Sequence, residues 1–201
     1  MKQIARIAVL ISLVLFSFVG AAEPAAAFSP ELSALIDQYV QLRKKGQINQ
    51  AEPKARKVLE LAEAELGADH MTLALLIERI APMYVILGRN DEAAALFKRS
   101  LAIFEKTSGA DHPIVSNSLD RLGTIYLNTG PYEKAEPYFK RSLAISEKGL
   151  GPDHRDLAPP LNNLAKLYQK QKRYAEAEQF FQRSLAISEK ALAPENTDIA
   201  L

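Results

Sequence analysis

The chain has 201 residues, 48% of them hydrophobic and 24% charged, a composition of folded soluble domains that excludes a disordered polymer. Its 25 Lys and Arg against 24 Asp and Glu leave a formal charge of +1, so the basic footprint of sequence-independent nucleic-acid binding is missing. With no cysteine, disulfides, thiolate metal sites, thiol nucleophiles and a lipoprotein anchor are excluded.

At the N-terminus, Lys2 and Arg6 precede an apolar run from Ile7 to Val19, and Gly20, Ala21, Ala22 and Ala25 to Ala27 follow. A positive end, an apolar segment and small residues at its exit make a secretory signal peptide. Residues 1–27 are expected to be that signal, with cleavage after Ala22 or Ala27. The run is shorter than the roughly 20 apolar residues that span a bilayer. A periplasmic or secreted protein is therefore expected, with an inner-membrane anchor as the alternative if the segment stays uncleaved.

Residues 28–201 repeat themselves every 42 positions. FKRSLAIFEK at 97–106 returns as FKRSLAISEK at 139–148 and FQRSLAISEK at 181–190. Leu122, Gly123 and Tyr126 align with Leu164, Ala165 and Tyr168 in one direction and with Ile80, Ala81 and Tyr84 in the other. Ala135 aligns with Ala93 and Ala177, and Phe139 with Phe97 and Phe181. Turns agree too: GADH at 67–70 and 109–112, GPDH at 151–154 and a weaker APEN at 193–196. Copies run over about 30–67, 72–109, 114–151 and 156–193, the first degenerate, with a stub at 197–201.

Each copy predicts two helices. Leu119, Leu122 and Tyr126 recur at spacings of three and four, on one helical face. The segment from about Tyr132 to Lys148 repeats this with Ala135, Phe139, Ser142 and Ile145, leaving Glu133, Lys134, Glu136, Lys140 and Arg141 outside. Glu136 and Lys140, four apart, are expected to form a solvated helix-face pair worth a few tenths of a kcal/mol. Ala81, Gly123 and Ala165 let a second helix approach closely, and Ala93, Ala135 and Ala177 supply the facing surface. Pro82 should kink its helix, and Pro159 and Pro160 should make the first helix of the fourth copy start late or bend.

This pattern resembles the tetratricopeptide repeat, and specifically the 42-residue variety of kinesin light chains. LDRLGTIYLNTGPYEKAEPYFKRSLAI (119–145) and LNNLAKLYQKQKRYAEAEQFFQRSLAI (161–187) carry the resemblance. The first copy departs from it, with Leu42 and Ala55 where the aromatic pair stands elsewhere. The resemblance implies an all-α fold, a right-handed superhelical solenoid of antiparallel helix hairpins. It further implies a non-catalytic scaffold that grips peptides or protein segments in a concave groove lined by the first helices. A regulatory or assembly subunit of an exported or membrane-bound enzyme complex is the alternative.

His70, His112 and His154 hold one repeat position, about a helix-packing distance of 8–10 Å or more apart. Metal–nitrogen bonds of about 2.0–2.1 Å rule out a shared ion. Either these histidines or Asp69, Asp111 and Asp153 beside them are expected to cap the next helix. Ser100, Ser142 and Ser184 read as small packing residues, because no local His and acid would activate them. No dinucleotide, phosphate-loop, zinc-protease or calcium motif occurs, so neither catalysis nor a cofactor is expected. The candidate binding surface is the polar side of the first helices: Arg79; Asn117, Arg121, Thr124 and Asn128; and Asn162, Asn163, Lys166 and Lys170. Arg79, Arg121 and Asn163 should form a ladder across three copies, able to pair with carboxylates and peptide amides. The short stub also predicts self-association, or coverage by a partner, at the C-terminal end, because solenoids need polar caps.

Overall fold

The structure, a computed structural model, describes residues 28–192. The expected signal peptide, residues 1–27, and the 197–201 stub lie outside the described residues. Eight α-helices and no strand are found among those described. They pair as α1 (Pro30–Lys44) with α2 (Ile48–Leu66), α3 (Met71–Ile86) with α4 (Asn90–Ser108), α5 (Pro113–Thr129) with α6 (Ala135–Leu150), and α7 (Ala158–Lys170) with α8 (Tyr174–Leu192). Each hairpin packs on the next through α2 with α3, α4 with α5 and α6 with α7. The result is the expected right-handed solenoid.

The histidines resolve the capping question. Nδ1 of His70 accepts from the Thr72 amide at 3.1 Å, His112 from Ile114 at 3.2 Å and His154 from Asp156 at 3.2 Å. Each satisfies an orphan N–H at a helix start. The neighbouring aspartates do something else: Asp69 pairs with Lys106, Asp111 with Lys148 at 2.5 Å and Asp153 with Lys190 at 3.2 Å. At the far end of the second helices Gly67, Gly109 and Gly151 adopt φ of +91°, +94° and +87°, a region open to glycine and strained for other residues.

The prolines act unequally. α3 stays helical for four residues beyond Pro82, although that ring removes one i to i−4 hydrogen bond. Pro159 and Pro160 do delay their helix: a 3-10 turn at Arg155–Leu157 precedes α7, which starts at Ala158. Another 3-10 turn, Tyr132–Lys134, precedes α6.

The repeated decapeptide is explained by its contacts with the copy before it. Its arginine reaches back to the glutamate of the preceding copy: Arg99 to Glu63 at 2.7 Å, Arg141 to Glu105 at 2.5 Å and Arg183 to Glu147 at 2.5 Å. Its final lysine reaches the preceding turn's aspartate. Exposed pairs of this kind are worth about 0–1 kcal/mol each, so they set register more than stability. Stability comes from the apolar seams. Phe97, Phe104, Phe139, Leu122, Leu164 and Tyr168 are almost wholly buried, and full burial of such side chains contributes about 1.5–3 kcal/mol apiece.

Candidate functional site

The first helices α1, α3, α5 and α7 lie side by side, and polar contacts tie neighbours together. Tyr39 Oη on α1 donates to the Arg79 carbonyl of α3 at 3.2 Å, and Arg43 donates to the same oxygen at 3.0 Å. Between α3 and α5, Ser118 Oγ donates to Glu78 Oε1 at 2.6 Å, and Arg121 Nε lies 3.0 Å from Glu78 Oε2. Ser100, from α4, donates to Glu78 Oε1 at 2.5 Å. One carboxylate thus joins three helices of two hairpins. Sequence periodicity places side chains on faces; only this adjacency makes those faces one wall.

On that wall the candidate residues fall as follows. Arg79, Asn117, Arg121, Thr124, Asn128, Lys166 and Lys170 are exposed, while Asn162 and Asn163 are half-buried. Arg121 is committed to Glu78 and lies over the Phe97 ring, 5.6 Å from its centroid. Thr124 Oγ1 donates to the Asp120 carbonyl at 2.8 Å, within its own helix. Among the described residues, Arg79, Lys166 and Lys170 have no carboxylate within ion-pair distance. The ladder of Arg79, Arg121 and Asn163 therefore contains one cation already neutralised.

The acids of this wall were missed. Burial pushes the Glu78 carboxyl above the usual carboxylate range, against the pull of Ser100, Ser118 and Arg121. Asp120, one repeat on, is raised by burial too, against Ser142 and Asn163. A signal existed: Glu78 and Asp120 share a repeat position, and Arg121 lies one residue past the second. Once adjacent first helices are placed side by side, the acid of one copy meets the base of the next.

A raised folded-state value means that the native state binds this proton more tightly than the unfolded chain. The Glu78 contribution is then fully present below the ordinary value of 4.5 and is lost as pH rises through its higher folded value. Glu78→Gln is expected to flatten that part of the profile. Urea midpoints for both proteins from pH 4 to 8 check it; parallel profiles would remove the assignment.

Other expectations change in detail. Ser142 Oγ donates to the Ser116 carbonyl at 3.0 Å and Ser184 Oγ to the Ala158 carbonyl at 3.2 Å, so these serines are small and also bridge the two helices of a hairpin. Glu136 is no mere helix-face pair. Besides Lys140 at 2.7 Å it meets Arg173 at 2.8 Å and accepts from Tyr168 Oη at 3.0 Å, both from the next hairpin. Burial pushes its carboxyl up, yet these donors together hold it below the ordinary range. The pairing of Glu52 with Arg89 at 3.0 Å repeats this between the first two hairpins.

Among the described residues no group of acids and histidines is arranged to hold a metal ion, and no helix is long and apolar enough to cross a membrane. No curated protein matches the chain in sequence. Solved structures do match in fold. BtubC (BKLC) from P. vanneervenii superimposes with a TM-score of 0.73 at 17% identity, over 90% of this chain and 71% of its own. A Podosopora anserina kinesin light chain-type protein of nearly identical TPR-like repeats gives 0.73 at 20% identity, over 96% and 88%. MamA gives 0.60 at 16% identity, over 80% of each chain. The tetratricopeptide repeat profile matches residues 72–148 and 119–190. Together these matches cover more than half of the sequence, and the chain belongs to the tetratricopeptide repeat family.

Proposed function

We propose that the protein is an exported, non-catalytic scaffold whose wall of first helices holds an extended, acidic segment of a partner protein. The fold is that of protein–protein interaction scaffolds, and the observation that carries the finer reading is the continuity of the wall. Tyr39 to Arg79 and Glu78 to Arg121 join α1, α3 and α5, and α7 lies against α5, which supports a surface shared by Arg79 and Lys166. Asn117 and Asn128 add amides that can donate to and accept from a peptide backbone. Arg121 is held by Glu78, which leaves Arg79, Lys166 and Lys170 to meet incoming carboxylates.

A fluorescent peptide of alternating Glu and Ser is the direct probe. Arg79→Glu, Lys166→Glu and Lys170→Glu together are expected to weaken its binding about tenfold or more, since each exposed ion pair lost is worth about 0–1 kcal/mol and the reversed charges add repulsion. Equal affinity for variant and parent would remove the groove reading. Export rests on Lys2, Arg6 and the Ile7 to Val19 run. N-terminal sequencing of the protein from exporting cells should begin at Glu23 or Phe28, and a start at Met1 would sink cleavage.

A further inference from the structure

The two ends of the solenoid are chemically unlike. Along α3, α5 and α7 the positions that pack on the preceding hairpin are apolar: Leu73, Val115 and Leu157 are fully buried, as are Leu122 and Leu164. At the corresponding positions of α1 stand Glu31 and Gln38, both exposed, and Gln41, in register with the buried Ile125 and Leu167, is exposed too. Among the described residues the outer face of the first hairpin is therefore mostly polar, whereas that of the last carries exposed apolar side chains. Phe139 and Leu143 on α6 are 0% and 7% exposed beneath α7, whereas their counterparts on α8, Phe181 and Leu185, are 37% and 57% exposed and Tyr174 is 64% exposed. These three line an open depression of about 340 Å³ together with Ala177 and Glu178.

The ion-pair register says what fits there. Glu63, Glu105 and Glu147 each receive an arginine 36 residues on, from the following hairpin. Glu52 and Glu136 each receive one 37 residues on. The next members of these two series are Glu189 and Glu178, both exposed on α8. No cation meets either among the described residues, and residues 193–201 contain no Lys or Arg. In both places where the following hairpin supplies the pair, its arginines are ten residues apart, Arg89 with Arg99 and Arg173 with Arg183.

We propose that the C-terminal end is a docking site for a partner helical hairpin with apolar residues on its first helix and two arginines ten residues apart on its second. The first helix covers Tyr174, Phe181 and Leu185 as α7 covers α6. The arginines meet Glu178 and Glu189. This surface is separate from the wall of first helices, so the two readings fail independently. A second copy docked head-to-tail fits poorly, since its leading face offers Glu31, Gln38 and Gln41, with Gln47 and Lys57 in the arginine positions.

A labelled synthetic peptide of residues 155–192, which carries this pattern, is the probe, titrated against the whole chain. Saturable binding is expected, lost with Phe181→Asp, a change at an exposed site that is expected to leave the circular dichroism spectrum of the chain unaltered. Glu178→Lys with Glu189→Lys should weaken it about tenfold, and a probe with Arg173→Glu and Arg183→Glu should restore it. Absence of saturable binding, or binding indifferent to the charge exchange, overturns the proposal. So does a dimer of the chain alone that Phe181→Asp converts to monomer, because a second copy would then hold the face.

Discussion

Phe139→Ala is expected to lower stability by about 3–5 kcal/mol, the range for removing a fully buried aromatic ring. The same change at Phe181 is expected to cost less than about 1 kcal/mol, in line with substitutions away from packed cores. The two residues share a repeat position and nearly identical flanks, FKRSL and FQRSL. They differ in what lies over them. Phe139 is 0% exposed in a cluster with Leu161, Leu164 and Tyr168 of the following hairpin, whereas Phe181 is 37% exposed. Because each hairpin is stabilised largely by its neighbours, Phe139→Ala should also uncouple the last hairpin, so that its unfolding precedes that of the rest. Urea unfolding followed by circular dichroism, with hydrogen exchange to locate the early step, measures both effects. Equal losses at the two positions would show that α8 is covered in solution as α6 is.

Gly123→Leu is expected to destabilise by about 3 kcal/mol, at the upper end of the overpacking range. A Cβ at this position would come within 2.6 Å of Phe139 Cε1, 2.7 Å of Cδ1 and 2.9 Å of Cζ. The ring is fully buried, so it cannot swing into solvent to make room. Gly123→Ala sets two effects against each other. Alanine gains up to about 1 kcal/mol of helix propensity, while displacing the ring costs about 1–3 kcal/mol, so a smaller net loss is expected. Ala81 and Ala165 at the equivalent positions show that the repeat accepts a methyl group where the facing surfaces have adjusted to it. The double variant Gly123→Leu with Phe139→Ala should lose clearly less than the sum of the single changes, because the second creates the space that the first needs. Strict additivity would mean that the contact between α5 and α6 is not what limits residue 123.

The fold was legible because repetition multiplies a weak signal. A spacing of three and four in one segment predicts one helix, and the same spacing returning every 42 residues predicts a row of hairpins. The turns were legible too, since GADH and GPDH join a helix-ending glycine to an Asp-His pair able to cap the next helix, although only the structure chose the histidine as the cap. Pairings between copies were less visible. Glu136 and Lys140 look complete as a local pair, and nothing in that segment announces Arg173, 37 residues away, as the partner that makes Glu136 a link between hairpins. Arg121 likewise reads as a free groove cation until Glu78 is found 3.0 Å from it.

By itself, then, the sequence determined that helices form, where they turn, which stripe of each is apolar and that successive copies must fit one another alike. These follow from short-range periodicity and from glycine and proline geometry, which depend on residues a few positions apart. Tertiary structure alone decided which charges are spent between neighbours, which remain on the wall of first helices, and that among the described residues Phe181 and Leu185 on α8 stay exposed while their counterparts on α6 are buried. Those outcomes depend on which surfaces lie within a few ångströms after folding, and residues 36, 37 or 43 positions apart become neighbours only when the hairpins stack.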